Sequence, residues 1–151
     1  EQVREVAIQI ANSRKWEDAD KLKDEAWQAV QLPDKGMEVY QSALAKAEKA
    51  NGWEPNDPVI LRTLGAAQYR TGAYEQALET LARAEKLAGE DTDPWVLGFR
   101  AMTLQRLGQL DEAKATLEQF RILLGDERFA GDEQAKALLA EAEGLIEGDR
   151  P

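Results

Sequence analysis

The chain has 151 residues, a net charge of -10, and neither cysteine nor histidine. Disulfides and thiolate metal sites are therefore excluded, and the usual general base and the commonest metal ligand are both missing. The acidic balance opposes binding to nucleic acids and to anionic membrane surfaces, because both need clustered Lys and Arg.

The ends of the chain carry no targeting signal that can be read. No apolar stretch reaches the roughly 18 residues that a membrane span needs. The chain starts at Glu1 without an apolar signal core, so we interpret it as a fragment or a processed product. Its compartment is unknown from the sequence, although the lack of a signal or membrane segment favours the cytoplasm.

The N-terminal segment predicts a short helix. Val3, Val6, Ala7 and Ile10 recur at helical spacing, which indicates an apolar stripe on one helix face. We expect a separate N-terminal packing helix within residues 1–14.

A degenerate helix pair is predicted over residues 18–55. Its first helix begins near Asp18 and must end before Pro33, since proline cannot continue a helix. An apolar stripe at helical spacing marks its second helix: Tyr40, Ala43, Ala47 and Ala50.

Residues 58–89 and 94–124 form two further units, within which 58–87 and 94–123 align without gaps. Pro58 corresponds to Pro94, and each proline follows an aspartate, Asp57 or Asp93. An aspartate cap followed by proline at the first helical position predicts a helix start.

A glycine divides each of these units into two helices. Gly72 and Gly108 occupy equivalent positions, where glycine typically ends a helix in a left-handed conformation. Helical spacing then resumes in the second helices, where Ala77 and Ala113 are expected at close crossings. A last amphipathic helix, 132–147, has a charged outer face and is predicted to cap the final unit.

The segment from Leu64 to Ala84 resembles the tetratricopeptide repeat (TPR). Gly72, Ala77 and Leu81 match the types typical of that family, whereas Tyr69 is displaced by one position. The resemblance implies an all-α, right-handed superhelical solenoid of about three helix-turn-helix units in a single domain, 1–151. The chain also looks like TPR segments at the end of large bacterial signalling proteins.

The resemblance further implies a protein-interaction module whose first helices line a concave groove. Residues 58–71 and 94–107 carry four arginines and no acid, so they contribute +4 and the rest of the chain carries -14. Because arginine binds carboxylates with paired hydrogen bonds, we expect a protein or peptide ligand that is acidic or has a free carboxylate. The groove candidates are Arg62, Tyr69, Arg70, Trp95, Phe99, Met102, Gln105 and Arg106.

Alternative interpretations stay open at this point. The arginines could pair with acids of the second helices, and Trp95 could pack at a repeat junction. The whole solenoid could be structural, self-associating or packing against other domains of a larger parent protein. No cofactor, metal site or catalytic residue is predicted, and an enzyme is disfavoured because histidine and cysteine are absent.

Overall fold

The computed structural model describes residues 1–148, which contain seven α-helices and no strand. A short 3-10 helix, Glu127–Phe129, joins the sixth and seventh helices. The last three residues of the predicted domain, 149–151, lie outside the described residues. The seven helices are α1 (Gln2–Val30), α2 (Met37–Trp53), α3 (Pro58–Arg70), α4 (Tyr74–Ala88), α5 (Pro94–Arg106), α6 (Leu110–Leu124) and α7 (Glu133–Ile146).

The helices stack in consecutive pairs along the chain. The most extensive contacts join α1 to α2, α3 to α4 and α5 to α6, and each pair also contacts the next. Helix α7 covers α5 and α6 at the end of the stack. The predicted all-helical solenoid is confirmed.

The N-terminal part of this architecture differs from the prediction. Residues 1–14 do not form a separate helix, because α1 runs without interruption from Gln2 to Val30. No glycine or proline occurs between residues 12 and 18, so nothing in that segment ends the helix. The first buried residue of α1 is Ala19. Residues 2–17 therefore form an exposed helical arm, in which the side chain of Val3 is 84% exposed.

Both predicted aspartate caps are present. Asp57 Oδ1 accepts a hydrogen bond of 2.8 Å from the backbone N–H of Val59, and Asp93 Oδ1 accepts one of 2.9 Å from Trp95. Gly72 and Gly108 have φ values of 86° and 80°, the left-handed conformation that ends the first helix of each pair.

Small residues allow the helices to approach closely. A Cβ atom on Gly65 would lie 2.6 Å from Leu81 Cδ2, and one on Gly98 would lie 2.5 Å from Leu138 Cδ2 and 2.9 Å from a ring carbon of Phe120. Ala77, which was expected at a crossing, is completely buried. These contacts fix the spacing between α3 and α4, and between α5 and its neighbours α6 and α7.

We expect Gly98→Ala to destabilise the fold. The added methyl group would overlap two packed side chains, so the free energy of unfolding should fall by about 1–2 kcal/mol after the gain in helix propensity is subtracted. Gly144→Ala is the matched control, because a Cβ there meets no atom within 4 Å and should stabilise α7 by up to about 1 kcal/mol. Urea denaturation of both variants checks the prediction, which equal effects at the two sites would contradict.

Candidate ligand-binding face

We call the side of the solenoid formed by the first helices α3 and α5 the concave face, following the expectation above. Aromatic side chains fill its space next to α1. The ring of Trp27, from α1, meets Trp95 edge-on with a centroid separation of 4.9 Å. Phe99 lies 6.3 Å from Trp27 and 5.9 Å from Tyr69, measured between ring centroids. Side chains from α1, α3 and α5 thus form one aromatic cluster.

Four of the eight predicted groove residues lie beneath this face. Tyr69, Trp95, Phe99 and Met102 are buried, the last two completely. In this conformation they support the face and offer a ligand little or no surface. For Trp95 and Phe99 the physical reason is Trp27 of α1, whose ring packs against both of them.

Arg62 is held by contacts within the chain. Its Nη1 donates a hydrogen bond of 2.7 Å to Asp93 Oδ2, so one aspartate both caps α5 and binds an arginine of α3. The guanidinium also lies 4.0 Å from the centroid of the Trp27 ring, within the range of a cation–π interaction. These contacts tie α1, α3 and α5 together.

Arg70 joins two other parts of the fold from the end of α3. Its Nε donates a hydrogen bond of 2.8 Å to the carbonyl oxygen of Val30, the last residue of α1. Its Nη2 donates one of 2.8 Å to Glu141 Oε1 in α7, and its Nη1 donates another to the same carboxylate. The Arg70 side chain is only 5% exposed and that of Glu141 is 21% exposed. This ion pair is therefore partly withdrawn from water.

A second arginine lies near the same carboxylate. Burial raises the pKa of Tyr69, while its hydrogen bond to Arg106 acts in the opposite direction. That hydrogen bond raises the pKa of Arg106, and the negative charge of Glu141 adds to the rise. We call the ion pair of Arg70 with Glu141, together with the neighbouring Tyr69 and Arg106, the arginine site. Arg106 is exposed at its edge, and Gln105 beside it is half-buried.

The fourth arginine of these two helices faces elsewhere. Arg100 Nη1 donates a hydrogen bond of 3.0 Å to Glu85 Oε2, which belongs to the second helix α4. For Arg100, the alternative interpretation holds, in which an arginine pairs with an acid of a second helix.

Two residues that shape the face, Trp27 and Glu141, were not among the predicted candidates. No local pattern identifies them, because their contacts join helices far apart in the chain.

The described residues show no metal-binding cluster and no membrane-spanning helix. Within residues 1–148, no three acidic side chains converge in a way that could hold a metal ion. None of the helices in this part of the chain is both long and apolar enough to cross a bilayer. The charged side chains of α3 and α5 described on this face are guanidinium groups, a type of group that can bind carboxylates.

Comparison with known proteins gives consistent matches. Two family models, both described as tetratricopeptide repeat, match residues 37–95 and 94–119. The chain is 31% identical over 98 residues to tetratricopeptide repeat protein 21B of Xenopus laevis, an alignment covering 65% of this chain and 7% of that protein. It is 26% identical over 125 residues to tetratricopeptide repeat protein 21A of Mus musculus, covering 83% and 8% respectively. The chain thus spans less than a tenth of either relative. Both are vertebrate proteins and do not support the bacterial comparison.

We expect Arg70→Leu to destabilise the fold strongly. The substitution leaves the Glu141 carboxylate without its main partner and removes a donor from the end of α1. The cost should be about 3 kcal/mol, the lower end for breaking a buried ion pair, because Glu141 keeps some access to water. Arg128→Leu, which breaks an exposed pair with Asp126, should cost less than about 1 kcal/mol. Thermal unfolding of both variants checks this, and similar melting temperatures would contradict it.

Proposed function

Because this chain belongs to the tetratricopeptide repeat family, we propose that it is a non-catalytic protein-interaction module that binds a peptide or partner surface on its concave face. Repeats of this family are generally protein–protein interaction modules. The observation that carries the finer proposal is the arginine site, where Arg70 holds the Glu141 carboxylate by two hydrogen bonds and Arg106 lies beside Tyr69. Its chemistry favours a partner that presents an acidic side chain or a free terminal carboxylate.

The charge distribution supports an acidic partner. Helices α3 and α5 carry four arginines and no acid on a chain of net charge -10. Three of these arginines pair with carboxylates of other segments, so Arg106 is the cation that supports an acidic partner. An exposed opposite-charge pair contributes only about 0.2–1 kcal/mol. Affinity must therefore also come from apolar contacts, and a ligand that alternates acidic and apolar residues can supply both kinds of contact.

The long-range field of the protein acts against such a ligand. The remaining -14 charges repel an acidic peptide, and salt screens this repulsion beyond about 8–10 Å. Salt also weakens the short-range attraction at Arg106. We therefore expect the affinity to change little with ionic strength, since the two effects oppose each other.

Arg106→Gln should weaken binding of an acidic peptide, because Arg106 is the exposed cation of the arginine site. With a short fluorescent peptide of alternating Glu and Leu and a free terminal carboxylate, we expect a loss of up to about fivefold. Arg100→Gln is the matched control, since it removes the same charge from α5 at a position paired with Glu85. Fluorescence anisotropy gives both affinities. Equal losses would contradict a local role for Arg106.

The exposed arm favours a second candidate function, self-association or packing against other domains of a larger protein. Val3, Val6 and Ile10 form an apolar stripe along α1 that the described residues 1–148 leave about half exposed or more. An uncovered apolar stripe at helical spacing is typical of a face that another helix covers.

If the arm mediates self-association, replacing Val6 and Ile10 together by lysine should shift the protein to the monomer. Two charges in place of apolar side chains remove the surface that a second copy would bury. Ile122→Lys is the control, because Ile122 is 70% exposed on α6. Light scattering over a concentration series gives the molecular mass. A wild-type protein that stays monomeric throughout the series contradicts self-association through the arm.

A further inference from the structure

The arginine site already contains a carboxylate, that of Glu141 in α7. We propose that Glu141 is a built-in occupant that competes with an acidic ligand, so that the site is self-inhibited until a ligand carboxylate replaces it. This inference rests on the proposed function, because it concerns the regulation of the same face.

The position of α7 makes this competition possible. Helices α3 and α5 each contact the second helix of the preceding pair, α2 or α4, more extensively than its first helix. Helix α7 reverses this preference, since its main neighbour is the first helix α5 and α6 comes second. Helix α7 therefore lies on the side of the stack where the first helices are. From there, Glu141 accepts hydrogen bonds from Arg70 on α3.

The displaced element is the Glu141 side chain and not the whole helix. The inner face of α7 buries Ala135, Leu138, Ala142 and Ile146. Leu138 also packs directly over Gly98 of α5. Detaching α7 would expose this apolar surface together with the end of the core. By contrast, the Glu141 side chain is 21% exposed, so it can turn toward water while α7 stays in place.

Burial of Arg70 requires that the carboxylate be exchanged and not simply removed. The Arg70 side chain is 5% exposed, so losing Glu141 without replacement would leave a buried charge unpaired. A ligand carboxylate restores the same paired hydrogen bonds, and the freed Glu141 becomes hydrated. Because Arg106 is exposed at the edge of the site, it is where an incoming acidic group makes its first contact.

Glu141→Gln tests this competition directly. The amide keeps an oxygen for Arg70 but removes the charge, so we expect the Glu and Leu peptide described above to bind about tenfold more tightly. Glu133→Gln changes the charge of α7 equally and should alter affinity less than about twofold, because Glu133 is exposed beside Lys136. Glu141→Asp keeps the charge on a shorter side chain and should give an intermediate affinity. Circular dichroism and thermal unfolding establish that each variant is folded.

A double variant tests whether the increase in peptide affinity depends on Arg106. If Glu141 and the peptide compete for the same arginines, adding Arg106→Gln to Glu141→Gln should remove most of the increase. Unchanged affinity in the Glu141 variants, together with weaker binding in Arg106→Gln, would overturn self-inhibition and leave the proposed function standing. If no variant binds the peptide, the acidic-ligand proposal itself is overturned. If Glu141→Gln loses its helicity, the peptide affinity of Glu141→Asp is compared with that of the wild type instead.

Discussion

Close helix approach at small residues is the constraint on which this structure depends. Each helix carries an apolar stripe that it cannot bury alone, so stability comes from stacking neighbouring helices. Gly65 lets Leu81 pack directly against α3, and Gly98 does the same for Leu138 and Phe120 on α5. With a side chain at either glycine, the neighbouring helices would have to move apart. The spacing of α3 from α4, and of α5 from α6 and α7, follows from these contacts.

This tight spacing also decides which aromatic side chains remain accessible. The first helices come close enough for Trp27 of α1 to reach Trp95 and Phe99 of α5. A wider solenoid would leave those rings lining an open groove. Here they complete the core, and the surface available for recognition shifts to the rim, where Arg106 and Gln105 lie. Packing and the proposed recognition therefore draw on the same two helices.

The arginines of α3 and α5 serve the architecture as well as any binding role. Arg62 pairs with the cap of α5, Arg100 pairs with Glu85 on α4, and Arg70 connects α1 to α7. Much of the positive charge counted in the sequence is thus matched by carboxylates of the chain. Arginine suits this use because its planar group can donate in several directions at once, as Arg70 does to Val30 and Glu141. Because Glu141 binds Arg70, the Arg70 guanidinium is shielded from water and still has a partner of opposite charge.

The sequence by itself determined the local structure of this protein. The caps at Asp57 and Asp93 and the turns at Gly72 and Gly108 depend on backbone chemistry within a few residues, so each could be predicted from its own segment. The repeated apolar stripes likewise determined that the helices must stack in pairs. The continuity of α1 was missed, since helical spacing shows where a helix is favoured and only a breaker shows where it ends. The occupancy of the concave face was decided by tertiary structure alone. The contacts of Trp27 with Trp95 and of Glu141 with Arg70 join distant helices, and they exist because the stack brings those helices within side-chain reach.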